Sequence, residues 1–450
     1  MQQLQGEKGF VLETTHTTPA GESTSPLSRL LALEGLRTMR GLRLAVNFGP
    51  DSEPRSIEVS GQANLTAYDD RSGGAPSSIA ARTLSFDLTN GSISHASAVG
   101  DVDLQGAPSE GEPEGFQLQS EELNAAFDPN IGSILRIEGQ GAIQLTNRDM
   151  TSRGSSTFLD PNTDVVTLAG DKDQPAHAEW LDRKIQADLI QADRKGNNLA
   201  AEGNVRTSYQ PPESRQARAQ NQALPFFRRG ETIYAMAGSL VFSDGGQIAH
   251  YRDRVRLWQG ENRLEAMEVD LSEIEGTVDA RGDVVSTFRQ SVPKGSPRGG
   301  TPSDEIVTID AAWMKYDRDR HVIMYGDRVL LTQGSLRVAC ERLSVLLKPD
   351  GRTADKLDAR GSVELHDINR IGRGDRLVAN VDADTMVLTG IGREAVIQDA
   401  TGQQVVRGSS LTMERSSDRI MVESELGGRT WIILKPRQKG APGVASDPKN

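Results

Sequence analysis

One cysteine, Cys340, stands in 450 residues. That excludes a disulfide framework and any site built from several thiolates. Within Arg337-Val338-Ala339-Cys340-Glu341-Arg342-Leu343 it reads as a small buried residue rather than a reactive thiol. Aromatics make up 4% of the chain and all hydrophobic residues 36%, too little for one large core built around big side chains. A thin or repetitive core is expected instead. His16, His95, His177, His250, His321 and His366 are each at least 45 residues from the next, so no histidine metal cluster is expected. No run approaches the roughly 18 consecutive apolar residues of a membrane-spanning helix. The first 21 residues have neither the basic start nor the apolar centre of a signal peptide. The chain is therefore expected either to remain in the cytoplasm or to begin after an export or anchor segment. With 51 Lys+Arg against 63 Asp+Glu, the net charge is −12, which argues against nucleic-acid binding because phosphates demand a basic face.

What is present is a period of two in short runs separated by turn residues, the signature of half-buried strands. One pattern recurs: an apolar residue, a polar one, Gly, a polar one, then a β-branched residue. Copies are Ile57-Glu58-Val59-Ser60-Gly61, Val99-Gly100-Asp101-Val102, Ile137-Glu138-Gly139-Gln140-Gly141-Ala142-Ile143, Ala201-Glu202-Gly203-Asn204-Val205, Val278-Asp279-Ala280-Arg281-Gly282-Asp283-Val284 and Leu357-Asp358-Ala359-Arg360-Gly361-Ser362-Val363. Markers at 61, 100, 139, 170, 203, 252, 282, 326, 361 and 392 lie 30 to 49 residues apart, with Arg252 in place of Gly in one copy. Such scatter is what loop insertions between constant strands produce. A partner strand of the form small-x-x-apolar-x-apolar precedes most markers, as in Ala81-Arg82-Thr83-Leu84-Ser85-Phe86 and Cys340-Glu341-Arg342-Leu343-Ser344-Val345. Asn90-Gly91, Asp160-Pro161-Asn162 and Asp350-Gly351 supply turn chemistry between them.

Each unit is a one-sided hairpin that cannot bury its apolar face alone. Stacking many of them builds a continuous apolar channel. The fold class expected is all-β, an elongated stack of antiparallel hairpins in two or more consecutive modules. Six segments are expected: a flexible 1–25, a divergent module at 26–175, a second module at 176–289, a linker at 290–304, a third module at 305–435 and a disordered tail at 436–450. Ser28 to Met39, with Leu30, Leu31, Leu33, Leu36 and Met39 at partly helical spacing, is read as a lead-in helix or capping element.

Catalytic constellations are missing. Gly390-Ile391-Gly392-Arg393-Glu394-Ala395 imitates a dinucleotide fingerprint, but β character continues where a helix must start. Gly372-Arg373-Gly374-Asp375 imitates an adhesion motif and reads as a plain loop. Acidic pairs such as Glu121/Glu122 and Asp171/Asp173 arise by chance among 63 acids. No enzyme activity, metal or cofactor is expected.

The repeats at Ile185–Thr207, Tyr234–Ser286, Thr308–Leu365 and Leu377–Ser424 resemble the OstA-like (LptA–LptC) family, the β-jelly-roll domains of the lipopolysaccharide-export bridge. Carrying the resemblance are the small-x-x-Leu-x-Val strand, the turn and the Ala-x-Gly-x-Val that follows, as in Leu199-Ala200-Ala201-Glu202-Gly203-Asn204-Val205. It covers about 180–430 well and about 40–170 more weakly.

The resemblance implies an open V-shaped jelly roll that shields acyl chains of lipopolysaccharide, or of another acylated lipid, in a periplasmic bridge between the inner and outer membranes. It also implies end-to-end strand addition by related jelly rolls. Anchoring at the inner membrane would then require a segment outside the given chain. Ten sheltered methylenes supply on the order of 8 kcal/mol without directional contacts, so a ligand slides while staying bound.

On that reading the first-strand groove liners are Leu84, Phe86, Leu123, Ile190, Leu240, Phe242, Val269, Leu271, Met314, Tyr316, Leu343, Val345 and Val381. Second-strand liners are Val102, Leu104, Ile143, Leu145, Val205, Val255, Leu257, Val284, Val329, Leu331, Val363, Leu365 and Val396. Ordinary core packing requires the same alternation at each of them. Two other readings remain open at this point: a β-solenoid scaffold with a filled core, and a β-helix enzyme acting on acidic polysaccharide.

Overall fold

The computed structural model describes residues 3–16, 35–68, 76–107, 115–130, 133–147, 150–160, 163, 165–180, 183–193, 196–210, 231–290, 305–351, 353–399, 404–414, 419–423 and 431–434. The described residues contain no α-helix and are overwhelmingly strand, so the all-β expectation holds. Two compact units emerge. Unit 1 runs to Leu257 and includes Asp270–Ile274; unit 2 takes Trp258–Val269 and the chain from Glu275 onward.

Unit 1 begins with β1 (Gln3–His16), β2 (Gly35–Phe48), β3 (Pro54–Tyr68), β4 (Ser77–Thr89) and β5 (Ser92–Gly106). It continues with β6 (Phe116–Phe127), β7 (Ile134–Asn147) and β8 (Met150–Asp160). Short strands follow: β9 (Val165–Ala169), β10 (Ala176–Trp180), β11 (Arg183–Ala187) and β12 (Leu189–Asp193). After them come β13 (Asn198–Tyr209) and β14 (Ile233–Ser243), while the division between units falls within β15 (Ile248–Gln259) and β16 (Asn262–Ser272). Unit 2 holds β17 (Thr277–Gln290), β18 (Glu305–Asp317), β19 (Val322–Gln333), β20 (Leu336–Leu347), β21 (Ala354–Asp367) and β22 (Arg370–Asn380). Short strands again follow: β23 (Thr385–Thr389), β24 (Ala395–Asp399), β25 (Gln404–Gly408), β26 (Ser410–Glu414), β27 (Arg419–Glu423) and β28 (Trp431–Leu434).

The repeated glycine marks a bulge at mid-strand. Between Val99 and Val102 two residues of β5 oppose one of β6, and the same register shift recurs at Ser60/Ala63, Gln140/Ile143, Glu202/Val205, Arg281/Val284 and Arg360/Val363. Both bulge residues are left-handed, for example Gly282 at φ 78 and Asp283 at φ 49. Glycine takes the first position at no steric cost, and Asp or Asn tolerates the second. A Cβ on Gly282 would also come within 2.8 Å of the Met267 Cβ, which lies over it.

Three of the expected markers are offset. The left-handed pairs are Gly141–Ala142, Asp253–Arg254 and Asp327–Arg328, not Gly139, Arg252 and Gly326. Asp opens two of these pairs, so a glycine-based search misses their phase. Gly170 and Gly392 lie instead in the loops that follow β9 and β23.

The bulge is a crease that divides each long strand between two hydrogen-bonded ladders. In unit 1 the first ladder runs through the later half of β8, β9, β12, the first half of β13 and the later half of β14. The second runs through the early half of β8, β10, β11 and the remaining halves of β13 and β14. Unit 2 repeats the plan. From β22 one ladder continues through β23, β26 and β27, and the other through β24, β25 and β28. In both units a loop of a few residues carries the chain from one ladder to the other. Alternation then points one face of each ladder inward, burying Leu84, Leu104, Ile185 and Leu240 in unit 1 and Ile309, Tyr316, Val345 and Leu388 in unit 2.

Several expectations need correction. Gln3–His16, assigned to a flexible segment, pairs antiparallel with β2, which satisfies backbone groups that a free segment would leave to water. The part of the lead-in helix that is described, from Gly35, is strand held on both sides by β1 and β3; residues 28–34 lie outside the described residues. No boundary falls at 175/176, because β8 pairs directly with β10. Nor does one fall at 290–304: β17 and β18 pair from Thr277↔Asp317 to Gln290↔Glu305, so that stretch joins two strands of a single hairpin. Gly372–Asp375 lies inside β22 rather than in a loop. The stretches 210–229 and 436–450 fall almost wholly outside the described residues.

Candidate functional site

The two ladders of a unit enclose the apolar interior, and their ends away from the crease face each other across a mouth. In unit 2 that interior holds a cavity of about 80 Å³. Leu331, Gln333, Leu336 and Val338 line it from one ladder; Leu343, Leu357, Ala359, Leu377 and Ala379 line it from the other. Asn380, Val381, Asp384, Thr385 and Met386, around the β22–β23 turn, complete the lining. The deep walls are therefore aliphatic, whereas the polar groups of Gln333, Asn380, Asp384 and Thr385 stand at the strand ends. An amphiphile with an apolar tail and a hydrated head fits this distribution, because the tail loses contact with water and the head keeps it.

Unit 1 also holds a cavity, of about 20 Å³, between Leu65, Ile79, Leu84, Phe86 and Leu123. At the strand ends near β10, β11 and β14, Phe242 of one ladder packs against Trp180 of the other, their ring centroids 6.0 Å apart. The Arg183 guanidinium lies 4.9 Å from the Tyr209 ring centroid and 5.2 Å from that of Phe242. Deeper in, the Tyr251 and Thr207 hydroxyls are hydrogen-bonded at 3.1 Å, and burial pushes the Tyr251 phenol above its ordinary value.

Of the residues expected to line a groove, all but Leu145, Leu271, Val381 and Val396 are buried. Burial of this kind serves core packing and ligand contact alike. Val396 faces the wrong way: its neighbours Ala395 and Ile397 are the buried pair, because the loop at 390–394 resets the alternation by one residue. Val381 follows the end of β22, donates its N–H to Asp355 and lines the cavity mouth. Leu145 and Leu271 lie half-buried near strand ends. Sequence reasoning missed Leu357 and Ala359, although they precede Gly361 at the alternating positions. It also missed the polar mouth and the Arg183 cluster, whose parts are brought together only by tertiary pairing.

The outward faces carry ion pairs. Burial pushes the Asp358 carboxyl up, but hydrogen bonds from Arg376 and Arg360 outweigh it and bring it down to about 2. Arg393 beside Asp375, with the Ile391 N–H, holds that carboxyl below the usual range. Burial pushes the Cys340 thiol up to about 11, which keeps it protonated and unreactive. Asp171 receives the N–H groups of Asp173 and Gln174, so that acidic pair serves a turn. Among the described residues no group of three or more His, Cys, Asp or Glu is arranged to hold a metal ion, and no helix is long and apolar enough to cross a membrane.

Residues 308–419 match the family described as LptA/(LptD N-terminal domain) LPS transport protein. The resemblance to the OstA-like family is borne out over that stretch. No curated protein matches the chain. Among the solved structures that match is LptH, described as the LptA homologous periplasmic component of the conserved lipopolysaccharide transport device from Pseudomonas aeruginosa. It is 14% identical, with a TM-score of 0.26, and the match covers 31% of this chain and 99% of that one.

Proposed function

We propose that the protein is a component of lipopolysaccharide transport that shelters acyl chains between its two ladders, with unit 2 as a ligand-accessible compartment. The observation carrying this reading is the cavity itself. All of its lining residues, from Leu331 to Met386, fall inside the stretch matched by the transport family, and its apolar depth and polar mouth suit an acylated glycolipid. Each methylene transferred from water contributes about 0.8 kcal/mol. Aliphatic walls set no preferred register along a chain, which favours passage over fixed binding.

The compartment is the periplasm, and related jelly rolls extend the stack by strand addition. Among the described residues β1 pairs only with β2, β27 only with β26 and β28 only with β25, leaving edges that can accept a strand. The direct test is titration of the full chain with a fluorescent fatty acid and with lipopolysaccharide, alongside Ala379→Leu, which places a larger side chain in the cavity. Binding by the parent and at least about tenfold weaker binding by a folded Ala379→Leu is expected. No saturable binding by the parent contradicts the proposal.

A further inference from the structure

The Arg183–Glu273 ion pair is largely shielded from solvent. The Arg183 side chain is 9% exposed and that of Glu273 25%, with Nη2 and Oε1 3.1 Å apart. Ninety residues separate the two in sequence. Arg183 opens β11 in one ladder, paired with Trp180 and Tyr209. Glu273 stands on the other side of the mouth: its N–H bonds the carbonyl of Gln247, in the turn that follows β14. That turn is tight against the pair, since a Cβ on Gly246 would lie 2.8 Å from Arg183 Nη1 and 3.3 Å from the Trp180 ring.

Phe242 closes the remaining space, touching the guanidinium on one side and Trp180 and Tyr251 on the others. A planar guanidinium suits this place better than an ammonium, because it stacks on rings while keeping its fork for a carboxylate. At the corresponding strand ends of unit 2, Gln333, Asn380, Asp384 and Thr385 surround a cavity instead.

We infer that Arg183 and Glu273 are positioning residues that clasp the unit 1 mouth shut, so that side entry of a ligand is refused at this level and confined to the open mouth of unit 2. The inference rests on acyl sheltering as the function, but the clasp is tested without lipid. In a Cys340→Ala background, one reporter is Leu240→Cys, beneath the clasp, and the other is Leu357→Cys, in the unit 2 cavity. A maleimide is expected to label position 357 at least about tenfold faster than position 240. Glu273→Arg sets two cations against each other and is expected to raise labelling at 240 about tenfold, with position 357 unchanged. Glu273→Gln keeps the shape but removes the charge, and is expected to raise labelling at 240 about threefold.

Equal labelling of the two reporters in the parent overturns the clasp. So does a folded Glu273→Arg that stays protected. A folded Glu273→Gln that stays as protected as the parent at 240 overturns it as well, and decides the matter where Glu273→Arg unfolds. Photoactivatable fatty acid adducts at position 357 then report separately on acyl sheltering: their absence with an intact clasp removes the function and leaves the clasp standing.

Discussion

Units 1 and 2 are built on one plan and differ at their strand ends. Both use creased strands, two ladders and a loop that passes the chain between them. In unit 1 the strand ends carry Trp180, Arg183, Tyr209 and Phe242, which meet across the mouth. In unit 2 they carry Gln333, Leu336, Asn380, Asp384 and Thr385 around a cavity of about 80 Å³. The crease is common to both units, and the residues at the strand ends are what differ. In a chain with few aromatics, three of them, Trp180, Tyr209 and Phe242, stand at one mouth, and a cavity stands at the other.

The largest effect should separate the two mouths. Phe242→Ala removes a ring from a filled site and is expected to cost about 4 kcal/mol, whereas Leu336→Ala enlarges an existing cavity and is expected to cost about 2 kcal/mol. Urea unfolding measures both, and equal losses would break the contrast. The creases, by comparison, should behave alike. Gly61→Ala and Gly282→Ala each force a side chain at positive φ against a covering residue, Leu42 or Met267, and each is expected to cost about 2 kcal/mol. A large difference between them would show that the shared plan is superficial.

The smallest effect lies on the outer face of unit 2. Asp358→Asn removes the partner of Arg376 and Arg360 and is expected to cost about 1 kcal/mol at neutral pH after solvent screening. Its folded-state carboxyl titrates near 2, below the ordinary 3.8. The stabilisation is therefore complete above about pH 4 and is lost as the pH falls through 2. Denaturation across pH 2 to 7 should bring parent and variant together at the acid end.

Strand identity was legible because alternation depends on neighbouring residues, as in Leu343, Val345 and Leu347. The crease was legible as Gly-x-Val but not as a conformation, and Asp253 and Asp327 escaped because Asp adopts the same left-handed backbone. Val396 was misassigned because a loop between strands shifts the phase without leaving a mark in composition. The mouths were illegible for a stronger reason: Arg183 and Glu273, or Gln333 and Asp384, become neighbours only after distant strands pair.

Acyl sheltering in the open compartment is tested most directly by placing a photocrosslinking residue at Leu357 or Leu377 in unit 2, and at Leu240 in unit 1, and irradiating the folded chain with lipopolysaccharide. Lipid adducts at 357 and 377, with none at 240, are the predicted result. Adducts absent from both unit 2 positions, in protein whose circular dichroism is unchanged, would contradict it.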